Sequence, residues 1–276
     1  EGTGNKNDSA VYVGEEFVLK YTANLSKLKN HIEVSKAIES IGLLSASPVA
    51  TADGKEYIQD GELYFYVTKR LSGTQMVSHS FGDGDARFVG EIIGQLHLAL
   101  SKIDDCISDA DLLATVRDWA LPNAKVALNL SDDFCKEYLD TFAALYPLLP
   151  RQIIHRDPNP GNIICSGDKW GFIDFELAER NARIYDPCYA ATAVLSETFG
   201  KDNDRWLEIY RDIVRGYDSV AHLTAEERIA IPRVLLANQF VCVAWFAENP
   251  QYEEIFQTNK RMTAWLLEKF DELQDI

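Results

Sequence analysis

The sequence predicts an α+β fold with a small strand-rich part followed by a larger helical part, and three observations lead to this prediction. The first 72 residues carry strand signals, such as Leu63–Lys69, which is rich in aromatic and β-branched residues. From Gly73 onward, apolar residues recur at helical spacing, as over 85–102. Between helical segments lies 153–176, where two short apolar runs flank a polar loop and a third follows a turn.

The first 72 residues are expected to form a small antiparallel sheet with one helix. The predicted elements are strands at 10–13 and 17–21, a helix at 28–41, a hairpin of 48–49 with 55–59, and the strand Leu63–Lys69. Gly42 follows the last apolar residue of the helix, where a glycine commonly ends one. The loop 1–8 is rich in glycine and asparagine, which suits a cover over phosphate groups. A frayed chain end is the alternative for this loop.

The remainder is expected to be mainly helical. The predicted helices lie at 85–102, 110–120, Asp132–Leu145, 188–199 and in several pieces across 203–274. Within 153–176 the apolar runs predict strands at 153–154, 163–165 and 170–175 that fold back as a hairpin-like unit. That arrangement would bring Asp157, Asn162 and Asp174 to one edge.

Composition excludes some classes of protein and partner. The length of 276 residues allows two modest domains or one large one, and the net charge of −16 argues against nucleic acid and anionic membranes as partners. Five scattered cysteines without a CxxC pair indicate free thiols in a reducing compartment. No stretch approaches the length of a membrane span and no signal peptide is visible, so we expect a cytoplasmic protein. The first residue is Glu1, not Met, so the chain is compatible with a longer gene product.

Three polar residues in 153–176 have a shared chemical logic. Asp157 could accept a proton from a substrate hydroxyl, while Asn162 and Asp174 could offer oxygens to Mg²⁺. Taken singly, an Asp-Pro pair or an Asn after a Gly is often only a turn former. The three together, with an apolar strand leading to Asp174, favour a site for phosphoryl transfer.

The motif HxDxxxxN, formed by His155, Asp157 and Asn162, is followed by the IDFE segment at 173–176. This pair of motifs resembles the aminoglycoside phosphotransferase and choline kinase-like family of small-molecule kinases. Arg156 stands where that family often has Gly, and Asn159 where it often has His. The resemblance implies a protein kinase-like two-lobe fold, with a nucleotide-binding lobe at 1–72 and a helical lobe at 73–276 that holds the catalytic loop and the acceptor site.

The resemblance also implies a role for each matching residue. The implied set is Asp157 as catalytic base, Asn162 and Asp174 as Mg²⁺ ligands, Gly4 in the phosphate loop, Lys20 on the nucleotide phosphates, Glu33 as the partner of Lys20, and the backbone of Lys69 and Leu71 at the adenine. A solvent-facing strand lysine is the alternative for Lys20, and a surface glutamate for Glu33. His155 is expected to brace the loop, and Asp186 to support it.

The implied reaction is transfer of the γ-phosphate of ATP or GTP to a hydroxyl of a small molecule. Only nine residues separate Glu176 from Asp186, too few for the activation segment of a protein kinase. A catalytically silent, nucleotide-binding pseudokinase is the main alternative. A metal-dependent hydrolase built on His155, Asp157 and Asp174 is a third hypothesis.

The C-terminal helices suggest a cationic acceptor, such as an aminoglycoside or an amino alcohol like choline. They carry acids and aromatic side chains that could hold an ammonium group: Glu248, Glu253 and Glu254 with Trp206, Trp245, Phe246, Tyr252 and Trp265. Aromatic residues at helical spacing are more often part of a core, which is the alternative.

Overall fold

The computed structural model describes residues 9–82, 84–103, 107–201 and 203–276. In chain order its strands are β1 (Ser9–Val13), β2 (Phe17–Thr22), β3 (Leu44–Ser45), β4 (Ile58–Asp60), β5 (Leu63–Lys69), β6 (Thr74–Gln75), β7 (Arg151–Ile154), β8 (Ile163–Ser166), β9 (Lys169–Phe172) and β10 (Glu179–Ala182). Its helices are α1 (Leu25–Ser40), α2 (Asp85–Leu100), α3 (Leu112–Thr115), α4 (Leu121–Leu128), α5 (Asp132–Leu145), α6 (Tyr185–Thr198), α7 (Asn203–Val220), α8 (Ala225–Ala247) and α9 (Glu253–Glu268).

An antiparallel sheet in the order β1-β2-β5-β4 forms the strand-rich part, as predicted. In its register Lys20 of β2 lies opposite Tyr66 of β5, so the two side chains share a face. Helix α1 packs beside this sheet and begins three residues before the predicted start. The side chain of Asn24 causes the earlier start, because its Oδ1 accepts hydrogen bonds from the backbone N–H groups of Ser26 (3.0 Å) and Lys27 (3.1 Å).

The predicted hairpin of 48–49 with 55–59 was wrong. Strand β4 pairs with β5 instead, and Pro48 makes an isolated bridge to Thr68. Proline has no N–H to give to a strand ladder, whereas the open edge of β5 supplies backbone partners for β4. The segment between them is closed as a turn by the Thr51 N–H, which donates to the Lys55 carbonyl at 2.7 Å.

A second sheet, in the order β3-β9-β8-β6, joins the two parts of the chain. Strands β8 and β9 form the predicted hairpin. Strand β7 does not fold back onto them as predicted, because it pairs antiparallel with β10, which follows Asp174. A glycine is required at Gly73, which has φ +145° and whose added Cβ would lie 2.4 Å from the Cys165 carbonyl oxygen.

The helical part packs around α2, α6, α7 and α8, whose apolar side chains form a continuous core with the inner faces of the small strands. Helix α5 has the predicted bounds. The predicted end of a helix at residue 120 was wrong, because α3 continues through a π-helical turn (Val116–Ala120) into α4. Asn129, in the left-handed conformation at φ 55°, ends that run.

The prediction that no stretch approaches the length of a membrane span was wrong for helix α8. This helix has 23 residues, and by length and composition alone it could cross a membrane. In the structure, 67% of its most apolar window is buried inside the protein, where α8 packs against α4, α6 and α9. This is the position of a core helix.

Candidate active site

A buried carboxylate, that of Asp186, supports the backbone of the loop after β7. Asp186, at the start of α6, accepts hydrogen bonds from the backbone N–H groups of His155 (2.8 Å) and Arg156 (2.9 Å). Its Oδ2 also lies 2.9 Å from Nε2 of His97, whose Nδ1 lies 2.9 Å from the Tyr217 hydroxyl. These contacts keep Arg156 in the left-handed conformation, at φ 77°.

His155 links the loop to the segment that carries Asp174. Its Nε2 lies 3.0 Å from the Ile173 carbonyl oxygen, and its Nδ1 accepts a hydrogen bond from the Asp157 N–H at 3.3 Å. Both ring nitrogens are therefore engaged in bracing, and the side chain is buried. This geometry agrees with the structural role expected for His155.

Asp157 lies at the tip of this loop with its carboxylate supported by neighbours. Oδ1 accepts from Asn159 Nδ2 at 2.8 Å, and the Tyr189 hydroxyl donates to the same carboxylate. Burial raises the pKa of Asp157 above its ordinary value, the hydrogen bonds from Asn159 and Tyr189 oppose that rise, and the negative charge of Asp174 adds to it. A carboxylate with a raised pKa is a stronger proton acceptor once it is ionised.

Asn162 contacts Asp157 and is hydrogen-bonded to the residue before Asp174. The Nδ2 group of Asn162 donates to the Asp157 backbone carbonyl at 2.9 Å, and the Asn162 carbonyl accepts from the Ile173 N–H at 2.9 Å. Asp174 itself has φ 69°. Since Nδ2 is used within the loop, Oδ1 is the Asn162 atom that could face a cation.

Lys20 reaches this edge from the sheet. Its Nζ lies 3.4 Å from Asp174 Oδ1 and 3.5 Å from Glu176 Oε1, and the Tyr66 hydroxyl donates to the same Glu176 oxygen at 3.1 Å. Glu176 lies in the IDFE segment, and Tyr66 is the cross-strand neighbour of Lys20. Strand register could have indicated Tyr66, but no sequence signal assigned Glu176 to Lys20.

The predicted pairing of Lys20 with Glu33 does not occur. Glu33 is half exposed and lies 3.9 Å from Lys36, one turn along α1. His31 is the α1 residue that lines the cavity containing Lys20 and Asp174. The sequence analysis did not predict this position. Because successive helical residues are about 100° apart, Glu33 lies about 200° around the helix from His31 and points away from Lys20.

A cavity of about 330 Å³ extends from Lys20 and Asp174 between the two parts of the chain. Lys69 and Leu71, predicted to meet adenine, line it together with Lys20 and Asp174. Its remaining walls are largely apolar and include Val18, Ala46, Ile164 and Ile173. Gly4, predicted to cover phosphates, lies outside the described residues.

The oxygen donors fit a magnesium ion that is bound together with phosphate. Among the residues that the structure describes, no group of three or more His, Cys, Asp and Glu side chains could hold a metal. Asn162 and Asp174 offer one amide and one carboxylate oxygen. Mg²⁺ in nucleotide sites commonly takes its other ligands from phosphates and water.

A second cavity, of about 380 Å³, adjoins Asp157 through Arg156 and Tyr189. Trp245 and Phe246 of α8 line it, as the acceptor-pocket hypothesis expects. Trp206 and Trp265 instead pack against each other with ring centroids 5.6 Å apart, and Trp206 is fully buried in the core. The aromatic residues of the C-terminal helices therefore divide between cavity and core.

The acids named with those aromatic residues do not line this cavity. Glu248 accepts a hydrogen bond from Trp119 Nε1 at 2.7 Å, and Glu253 accepts one from Gln257 Nε2 at 2.8 Å. The lining acid is Glu179, which the sequence did not single out.

The model of the phosphotransferase enzyme family matches residues 3–223. The chain belongs to this family. Among curated relatives, a homoserine kinase of Sinorhizobium medicae is 38% identical over 205 residues, which is 69% of this chain and 59% of that protein. A homoserine kinase of Zymomonas mobilis subsp. mobilis is 29% identical over 154 residues, 52% of this chain and 46% of that protein. The chain spans about half the length of these curated relatives.

A solved structure of a microcompartment-associated aminopropanol kinase has a similar fold. The TM-score is 0.71 at 15% identity, over 98% of this chain and 90% of the other. This likeness confirms the protein kinase-like two-lobe fold expected for a member of the phosphotransferase enzyme family, with a small antiparallel sheet and a larger helical part.

Proposed function

We propose that the protein is a kinase that transfers the γ-phosphate of ATP or GTP to a hydroxyl of a small molecule. The observation that carries this proposal is that Asp157 and Asn162 contact each other in one loop, while Asp174, whose charge acts on Asp157, lies 3.4 Å from Lys20 in the lining of the first cavity. Family membership and the curated homoserine kinases support the same reaction type. The comparisons give no support to the pseudokinase alternative.

In the proposed reaction, Lys20 holds the nucleotide phosphates, and the backbone of Lys69 and Leu71 holds the base. Asn162 and Asp174 would bind Mg²⁺, which supplies positive charge against the phosphate oxygens. The acceptor oxygen attacks the γ-phosphorus, the bond to the bridging β–γ oxygen breaks, and that electron pair leaves with the diphosphate. Asp157 orients the acceptor hydroxyl and takes its proton.

The proposal includes the division of labour between the two parts of the chain. Residues 1–72 would bind the nucleotide, and residues 73–276 would supply the catalytic loop and the acceptor site. We place the reaction in the cytoplasm, where nucleoside triphosphates are available. The acceptor would be a small hydroxyl-bearing molecule with an amino group, a class that includes amino alcohols, aminoglycosides and homoserine.

Replacing the proposed base tests the reaction. Asp157→Asn should lower kcat by about 10²- to 10⁴-fold, because the amide cannot accept the proton. Nucleotide binding should persist, since Lys20 and the cavity are unchanged. The measurements are coupled phosphotransfer to a panel of amino alcohols, aminoglycosides and homoserine, and the nucleotide-induced rise in melting temperature.

Asp168→Asn is the matched control. Asp168 is an exposed acid in the turn between β8 and β9, so the same chemical change there should leave kcat within about twofold. An Asp157→Asn protein with the turnover of the Asp168→Asn protein would refute the assignment of the base. Absence of phosphotransfer by the unmodified protein to every acceptor would refute the kinase itself.

A further inference from the structure

The second cavity, lined by Arg156, Glu179, Tyr185, Trp245, Phe246 and other side chains, has an unusual distribution of charge. Arg156 and Glu179 are the charged side chains of its lining, and the rest is aromatic or apolar apart from Cys242 and the tyrosine hydroxyls. Burial raises the pKa of the Cys242 thiol to about 11 and that of Tyr189 well above its ordinary value. At neutral pH the cavity therefore presents one positive and one negative group.

These two charges form an ion pair that is itself held in place. Arg156 Nε lies 2.8 Å from Glu179 Oε1, and the same oxygen accepts from Asn181 Nδ2 at 2.8 Å. The Arg156 guanidinium lies over the Tyr185 ring, 4.3 Å from its centroid. Both side chains are only about one-fifth exposed, at 22% and 18%.

The pair lies close to the reacting position. Arg156 directly precedes Asp157, and Tyr189 both lines the cavity and donates its hydroxyl hydrogen to the Asp157 carboxylate. If an acceptor hydroxyl reaches Asp157, this cavity is the adjoining space that can take the acceptor's remaining atoms.

We propose that Arg156 and Glu179 bind a carboxylate and an ammonium group on one acceptor, so that the substrate is a small hydroxy amino acid. This inference rests on the proposed kinase function. A guanidinium has five N–H donors and a carboxylate can engage two of them, so Arg156 can hold Glu179 and an acceptor carboxylate together. We assign Glu179 Oε2 to the acceptor ammonium, while Oε1 stays with Asn181.

Other acceptor classes match these charges less well. A choline-like cation would meet the Arg156 guanidinium without a carboxylate to offset it, and like charges at close range cost affinity. A polycationic aminoglycoside would find one lining carboxylate for several ammonium groups, and it would bring no carboxylate to the Arg156 guanidinium. A sugar would make no use of either charge, and burying an ion pair without replacement contacts is costly.

Three compounds of matched length test the inference. Homoserine carries the hydroxyl, the ammonium and the carboxylate, 3-aminopropan-1-ol lacks the carboxylate, and 4-hydroxybutyrate lacks the ammonium. We expect kcat/KM for homoserine to exceed that for each of the other two by roughly tenfold or more, because each lost charge removes a charge-assisted hydrogen bond.

Two variants should each reduce a different one of these two preferences. Arg156→Asn, chosen because Asn tolerates a positive φ, should reduce the preference for homoserine over 3-aminopropan-1-ol by roughly tenfold. Glu179→Gln should reduce the preference for homoserine over 4-hydroxybutyrate by a similar factor. Glu253→Gln is the control, since Glu253 is an exposed acid outside the cavity, and it should leave both preferences unchanged.

The outcomes distinguish a failure of the substrate inference from a failure of the proposed kinase function. Equal or better phosphorylation of 3-aminopropan-1-ol, choline or an aminoglycoside would overturn the inference and leave the kinase function intact. The inference would also be overturned if both variants lost kcat/KM equally toward all three compounds, because that pattern indicates a structural role for Arg156 and Glu179. Phosphotransfer to none of these compounds by the unmodified protein would overturn both the inference and the kinase function.

Discussion

Lys20 is held by two carboxylates of one short segment, Asp174 at 3.4 Å and Glu176 at 3.5 Å. If Asp174 binds Mg²⁺ and Lys20 binds phosphate, Glu176 is the partner that can remain with Lys20 through the reaction. The Tyr66 hydroxyl, 3.1 Å from the same Glu176 oxygen, fixes that carboxylate in turn. We therefore propose for Glu176 the positioning role that the sequence predicted for Glu33.

Replacing Glu176 tests this assignment at the residue scale. Glu176→Gln removes the charge that holds Lys20, so the KM for the nucleotide should rise by roughly three- to tenfold, with a smaller change in the KM for the acceptor. Steady-state kinetics with each substrate varied in turn measures both constants.

Glu33→Gln provides the matched control on α1. Glu33 lies beside Lys36 on the half-exposed side of the helix, so its loss should leave the nucleotide KM within about twofold. A larger effect at Glu33 than at Glu176 would restore the predicted pairing and contradict the geometry described above.

At the scale of elements, α2 and α7 approach so closely that their contact depends on glycine. A Cβ added at Gly216 of α7 would lie 2.0 Å from the Arg87 carbonyl oxygen, and one added at Gly90 of α2 would lie 2.0 Å from the Ile213 carbonyl oxygen. This close contact also places His97 of α2 beside Tyr217 of α7 and Asp186 of α6. The support of the loop that carries Asp157 thus begins with helix packing.

Gly216→Ala should therefore destabilise the fold. Backbone atoms cannot move aside as a side chain could, so we expect a loss of about 1–3 kcal/mol in the free energy of unfolding, measured by urea denaturation. Gly82→Ala is the control, because among the described residues its Cβ would meet Asp85 Oδ2 at 3.7 Å, an ordinary van der Waals contact. Equal stability of the two variants would show that the helices can separate without cost.

Local sequence signals predicted several elements well. The bounds of β5 follow from its β-branched and aromatic residues, and those of α5 follow from its helical periodicity. The start of α1 was wrong because the Asn24 cap outweighs the apolar pattern. The pairing of β4 and of β7 was wrong because a strand's partner is chosen by available sheet edges, which adjacent sequence does not encode.

At the scale of the whole molecule, His31 lies where the two parts meet. Its ring centroid is 5.4 Å from that of Tyr66 and 6.2 Å from that of Phe175, and its Nε2 lies 3.2 Å from the Ala46 carbonyl oxygen. Burial, with a further contribution from the Lys20 charge, lowers the pKa of His31 from 6.5 to about 3. His31 is therefore neutral in the folded protein at physiological pH.

The depressed pKa predicts a loss of stability in acid. Between pH 6.5 and 3 the unfolded chain binds a proton at residue 31 that the folded protein excludes, so the free energy of unfolding falls as pH falls through this window. The contribution is at most about 1.4 kcal/mol per pH unit. His31→Gln cannot titrate, so its unfolding free energy should fall less steeply between pH 6 and 4.

The comparison needs a control for the loss of a histidine. His79→Gln alters an exposed histidine and should keep the steeper slope of the unmodified protein. Urea denaturation at intervals of half a pH unit gives the slopes. Identical slopes for the His31 and His79 variants would contradict the assigned protonation state.

The sequence by itself determined the family and the two-part α+β fold. It also predicted Asp157, Asn162 and Asp174 as one site, because these residues lie within one short segment whose spacing limits how it can fold. Only the tertiary structure decided the partner of Lys20 and the charges of the second cavity. Lys20 and Glu176 are 156 positions apart, and Arg156 meets Glu179 only through the pairing of β7 with β10. Periodicity and caps act over a few residues, whereas such contacts depend on which faces distant elements turn toward each other.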